Sequence, residues 1–225
     1  MGKQFVFLAI VLFMILASLA LTLVGILTDN WYSVSTEDKS NTTFESKWNY
    51  HYGMWKRCYN TLPNELKESM KTGDCVYIYK DLIKRNEHDL SYDDRLHLHL
   101  SRSYVAFAIV CGAVQLSTLL TLICGVWPAK CKLIKRSRLY LSSALMLLLA
   151  TMCGIVSGIC FIALRDSDAD INKIYPLGVA VNYGWSFMIH WIATGLCLVE
   201  SFILLCLLKE SYDDVAEKFS YYNIY

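Results

Sequence analysis

"FVFLAIVLFMILASLALTLVGILT", residues 5–28, runs for 24 residues without a charged side chain. A helix needs roughly 20 mostly apolar residues to cross the hydrocarbon of a bilayer. Three more blocks reach that length, at about 103–127, 139–164 and 183–208. An open sheet in lipid leaves backbone groups unsatisfied, so all four blocks are expected to be helices. The first block is longer than the 7–15-residue core of a secretory signal, so it is read as a retained span. The apolar share, 55% of 225 residues, lies above that of ordinary globular proteins. The formal charge of +1 gives no sign of a nucleic acid partner.

Orientation follows from the loops. The segment 128–138 carries Lys130, Lys132, Lys135, Arg136 and Arg138 and no acid. Cationic loops stay in the cytoplasm. The expected layout therefore has a cytoplasmic loop at 128–138, a cytoplasmic tail at 209–225 and extracellular loops at 29–102 and 165–182. Trp31, Tyr32, Tyr104, Trp127, Tyr140, Tyr183 and Trp185 fall near the expected membrane edges, as an interfacial belt does.

Of nine cysteines, only Cys58 and Cys75 fall in the extracellular segments, where disulfides persist. One intramolecular bridge is the expectation. Two free thiols, or a bridge to another molecule, are the alternatives. Asn41-Thr42-Thr43 fits the glycosylation acceptor pattern on the same side. Cys58 ends the stretch "YGMWKRC", 52–58, in which Gly53 permits a tight turn. Trp55 offers a large face beside the bridge or at the lipid interface.

Ala150, Gly154 and Gly158 recur every fourth residue in the third block, and Ala108 and Gly112 do so in the second. Small residues at that spacing let helices approach closely, within one bundle or against a partner helix. His190 and Glu200 are ionisable groups inside the fourth block, nearly three turns apart. Glu200 is read as facing the bundle, with partner docking or ion handling as alternatives. "LHLHL", 96–100, alternates Leu with His97 and His99. It is read as a strand or linker with solvated imidazoles. Zinc binding together with His51 or His88 is the weaker alternative. The first extracellular loop balances eleven Lys or Arg against twelve Asp or Glu, which gives no support for an ion pore lined by one sign. No phosphate-binding, nucleophile-elbow or zinc-protease motif is present, so no enzyme, cofactor or metal is expected. Cys131 and Cys206 lie near the cytoplasmic edge as acylation candidates, and "YYNI", 221–224, fits short sorting and docking patterns.

Trp31, Gly53-Met54-Trp55, Cys58 and Cys75 resemble the W…GLW…C…C signature of the claudin, peripheral myelin protein, epithelial membrane protein and calcium-channel gamma-subunit superfamily. Arg102 matches an arginine that claudins carry at the mouth of the second helix. "ILTDNW", 26–31, is similar to gamma subunits, and "YGWSF", 183–187, resembles gamma-subunit and epithelial membrane protein sequences. Met54 stands where the signature has Leu, and "YYNIY" is not the usual claudin ending. The resemblance implies an all-α membrane protein: a four-transmembrane-helix bundle with a small, disulfide-stapled extracellular antiparallel β-sheet. It implies a non-enzymatic plasma-membrane protein in contact with lipid. Such a protein binds and modulates another integral membrane protein, a channel or receptor, as an auxiliary subunit does. The alternative is a claudin-like adhesion or barrier protein, pairing with like molecules on the same or an adjacent cell at cell junctions.

Overall fold

The computed structural model describes residues 2–36, 48–60, 75–78, 92–126, 133–167 and 178–222. Asn41, His88, Cys131 and the end of the "YYNI" pattern lie outside them. Four helices carry the apolar blocks: α1 (Gly2–Leu27), α2 (Tyr92–Val126), α3 (Leu133–Asp166) and α4 (Trp185–Tyr222). The described residues also form five short strands: β1 (Tyr32–Thr36), β2 (Tyr50–Tyr52), β3 (Lys56–Tyr59), β4 (Cys75–Tyr77) and β5 (Val179–Tyr183). Each helix contains a stretch long and apolar enough to cross a membrane: Val6–Leu27, Asp94–Gly125, Ser137–Asp166 and Trp185–Tyr212.

Burial along the helices follows a seven-residue repeat, the pattern of helices that pack side by side. In α4 one buried stripe runs Ser186, His190, Ala193, Cys197, Glu200, Leu204, Leu207 and Ser211, spaced alternately by four and three, with Phe187, Thr194 and Ser201 buried beside it. His190 and Glu200 therefore sit on its inward stripe. In α2 the stripe runs Leu98, Ser101, Tyr104, Ala108, Cys111, Gln115, Thr118 and Leu122. It begins well before the apolar block, and this corrects the reading of "LHLHL" as a strand or linker. Those residues form the early turns of α2, so His97 and His99 lie about 200° apart around the helix and share no face. Leu98 continues the helical period inward, and its burial overrides the local alternation of Leu and His.

The chain divides into two compact units. One comprises Met1–Thr22, Ile109–Ile155 and Ile192–Tyr225. Its apolar core joins Leu8, Val11 and Ile15 of α1 to Leu122 of α2, Leu147 of α3 and Leu204 of α4. Gly154 of α3 backs onto Thr194 of α4 here, and a Cβ at residue 154 would meet its side chain at 2.5–3.3 Å. The other unit comprises Leu23–Ala108 and Val156–Trp191 and holds the sheet. In it Gly158 faces the Trp191 indole, which an added Cβ would meet at 2.6 Å. Gly154 and Gly158 of the small-residue stripe of α3 are thus spent on α4 of the same chain, while Ala150, fully buried, clusters with Cys111 of α2.

The sheet is antiparallel in the order β4-β3-β2-β1-β5. Tyr32 of β1 pairs with Tyr52 of β2 and with Tyr183 of β5, and Cys58 of β3 pairs directly with Cys75 of β4. β1 therefore binds segments from two distant parts of the chain. Two glycines set how closely those segments approach the end of α1. A Cβ on Gly53 would run into the backbone of Asp29, and one on Gly184 into the carbonyl of Asn30. Backbone cannot swing aside as a flexible side chain does. Gly53→Ala and Gly184→Ala are each expected to cost about 1–3 kcal/mol or more. Gly195→Ala, whose Cβ meets nothing within 4 Å, is expected to stay within about 1 kcal/mol. Thermal unfolding of the three purified variants checks this.

Candidate functional site

The last carbonyls of a helix have no partner within the helix. At the end of α1 each of three consecutive carbonyls meets a donor from beyond the helix. The Val24 carbonyl accepts from the backbone N–H of Thr28 at 3.1 Å and from its hydroxyl at 2.6 Å. The Gly25 carbonyl accepts from the indole Nε1 of Trp31 at 2.7 Å. The Ile26 carbonyl accepts from the indole Nε1 of Trp55 at 2.7 Å. Two tryptophans thus cap one helix end, one from the segment just after it and one from the β2–β3 turn.

Trp31 is wholly buried, and its backbone is used as fully as its ring. Its N–H donates to the Tyr52 carbonyl at 2.9 Å, and its carbonyl accepts from Gly184 N–H at 2.8 Å. Its ring lies edge-on to Phe161 at 4.8 Å and within 6 Å of Tyr104, Phe187 and His190. These neighbours come from α2, α3 and α4. Met54, fully buried, belongs to the same cluster. The N-terminus of α4 meets the same segment: Ser186 N–H donates to the Asn30 carbonyl at 3.1 Å, and the Ser186 and Thr28 hydroxyls lie 2.7 Å apart. The Thr28 hydrogen is committed to Val24, so Ser186 is the donor of that pair.

Asp29 adds an ionic tie. Its Oδ2 is 3.0 Å from Lys56 Nζ on β3 and 3.6 Å from His51 Nε2 on β2. Burial raises the pKa of this carboxyl, but the hydrogen bond and charge of Lys56, with the nearby His51, outweigh it and hold the group below its ordinary value. Cys58 and Cys75 form a disulfide across β3 and β4. Asp29 Oδ2 also lies 3.0 Å from Cys58 Sγ, a sulfur with no proton to donate. The cluster of Asp29, Cys58 and Cys75 has the crowding of a metal site but not its chemistry, because both sulfurs are bonded to each other and neither is a thiolate.

The signature residues are brought together unequally. Trp31, Gly53, Met54, Trp55 and Cys58 converge on the end of α1. Arg102 lies part-buried on α2. Glu200 belongs to the other unit, fully buried, with Oε2 accepting from the Ser18 hydroxyl at 3.3 Å; Oε1 has no partner among the described residues. It faces α1 of its own chain. Asp29, Lys56 and Gly184 lie in stretches quoted from the sequence, which assign none of them a role of its own. An acid just past an apolar run is common, and only the folded hairpin shows which lysine it meets.

Four apolar spans, an antiparallel sheet stapled by one disulfide and a doubly capped first helix define a multi-pass membrane protein of the claudin type. The chain belongs to the PMP-22/EMP/MP20/Claudin tight junction family, whose model matches residues 16–206. Comparison with curated proteins finds no match.

Losing one indole bond while keeping the ring bulk leaves a helix-end carbonyl without its donor. Trp55→Phe is expected to destabilise the sheet unit by about 1–3 kcal/mol. Trp31→Ala removes the central ring as well and is expected to cost about 3–5 kcal/mol. Cys58→Ser and Cys75→Ser should behave alike, with the double variant no worse than either. Chemical unfolding followed by tryptophan fluorescence measures each. The Asp29 pairing supports the fold at pH above the unfolded carboxyl value of about 3.9 and is lost as pH falls through the lower, folded value. Acid should therefore lower the unfolding midpoint less in Asp29→Asn than in the parent.

Proposed function

We propose that the protein is a non-enzymatic plasma-membrane component that binds another integral membrane protein, a channel or a receptor, and modulates it as an auxiliary subunit does. The observation that carries this reading is the rigid attachment of the sheet to the end of α1, with exposed aromatic residues in the same unit. Tyr77 on β4 is 57% exposed and Tyr92 at the start of α2 is 78% exposed. Exposed tyrosines on a held scaffold suit protein recognition, because a stiff aromatic contact loses little entropy on binding. In this reading both termini and the 128–138 loop are cytoplasmic, the sheet is extracellular and Asn41 is a glycosylation site. Arg102 lies near the mouth of α2 in the same extracellular region.

The second reading is adhesion or barrier formation at cell junctions, favoured by the family's description as tight junction proteins. Two measurements separate the readings. Crosslinking in native membranes, followed by purification, should recover a stoichiometric channel or receptor. Recovery of the chain alone would count against the first reading. Expression in non-adherent cells should leave cell contacts free of enrichment. Accumulation at contacts would favour the second.

A further inference from the structure

A groove of about 410 Å³ lies along α4 against Phe7 of α1, both within one unit. Its other walls are Val199, Phe202, Ile203, Cys206 and Leu207, and one acid, Glu210, lines it. Phe7, Val199 and Phe202 are each about half exposed, so the described chain leaves the groove open. From Val199 to Glu210 is eleven residues, about 16 Å of helix. The hydrocarbon core of a bilayer is about 30 Å thick, so one leaflet is about 15 Å. The groove thus has the depth of a single leaflet, and its acid lies where the apolar span of α4 closes, near Tyr212. A partner helix crossing the bilayer would extend beyond the groove through both leaflets. An acyl chain fits the length, and the carboxylate complements an ammonium at headgroup depth.

We propose that this groove binds one acyl chain of a membrane phospholipid with an ammonium-bearing headgroup, the ammonium pairing with Glu210. The test uses the full chain in lipid nanodiscs with two photoactivatable phospholipids. Their diazirine acyl chains are identical, and the headgroup is ethanolamine in one and glycerol in the other. The ethanolamine lipid should label the α4 segment around Phe202 and Ile203 about threefold more than the glycerol lipid, the size of an exposed ion pair. Glu210→Gln, a change at an exposed position, should bring the two lipids to parity without lowering glycerol-lipid labelling. Ile203→Trp, which fills the groove, should lower both. Equal labelling in the parent protein, or a preference that survives Glu210→Gln, overturns the proposal. So does α4 crosslinking to a second copy or to another protein in place of lipid.

Discussion

A helix that ends at a membrane surface leaves carbonyls that neither the helix nor the hydrocarbon can satisfy. In this protein α1 hands two of those carbonyls, Gly25 and Ile26, to the indoles of Trp31 and Trp55. Much of the sheet unit is arranged around that arrangement. The Trp31 ring is also the hub of the aromatic cluster that gathers Tyr104, Phe161 and Phe187, and its backbone is bonded to Tyr52 and Gly184 on either side. One residue therefore caps a helix, fills a core and bridges the sheet. Glycine at 53 and 184 is the steric counterpart, since only without a Cβ can the hairpin and the start of α4 come so near to residues 29 and 30.

The strands are three to five residues long, too short to hold a hairpin on their own. Their stability comes from elsewhere. The disulfide ties the outermost strand β4 to β3, the Asp29–Lys56 pair ties β3 to the end of α1, and the Trp55 indole does so a second time. At the opposite edge, Arg165 of α3 donates to the Val181 carbonyl of β5 at 3.0 Å and lies over the Tyr183 ring. Such an arrangement makes the sheet a fixed attachment to the helices. Rigidity of that kind lowers the entropy lost in recognition, whichever partner meets it.

Much of this was legible in the sequence. Apolar length alone marked the four spans, because hydrocarbon admits little else. Trp31, Trp55, Cys58 and Cys75 stood out as an ordered set. Their roles were harder to see. Nothing in the sequence says that the two indoles serve neighbouring carbonyls, since one lies 6 residues and the other 29 residues along the chain from its acceptor. The "LHLHL" segment misled because five residues can fit period two locally while the buried stripe of α2 runs through Leu98 at the helical period. Gly154 and Gly158 were recognisable as packing positions, but that their partner is α4 of the same chain depended on long-range contacts.

The central claim is that the indoles of Trp31 and Trp55 are bonded caps on α1 and not simply buried rings. Hydrogen exchange of the six indole N–H groups, followed by NMR on protein labelled with ¹⁵N at tryptophan, tests it directly. The account predicts strong protection at both indoles, with Trp55 losing its protection when Cys58→Ser releases the sheet. Trp31 and Trp55 exchanging as fast as free indole in the folded protein would contradict it.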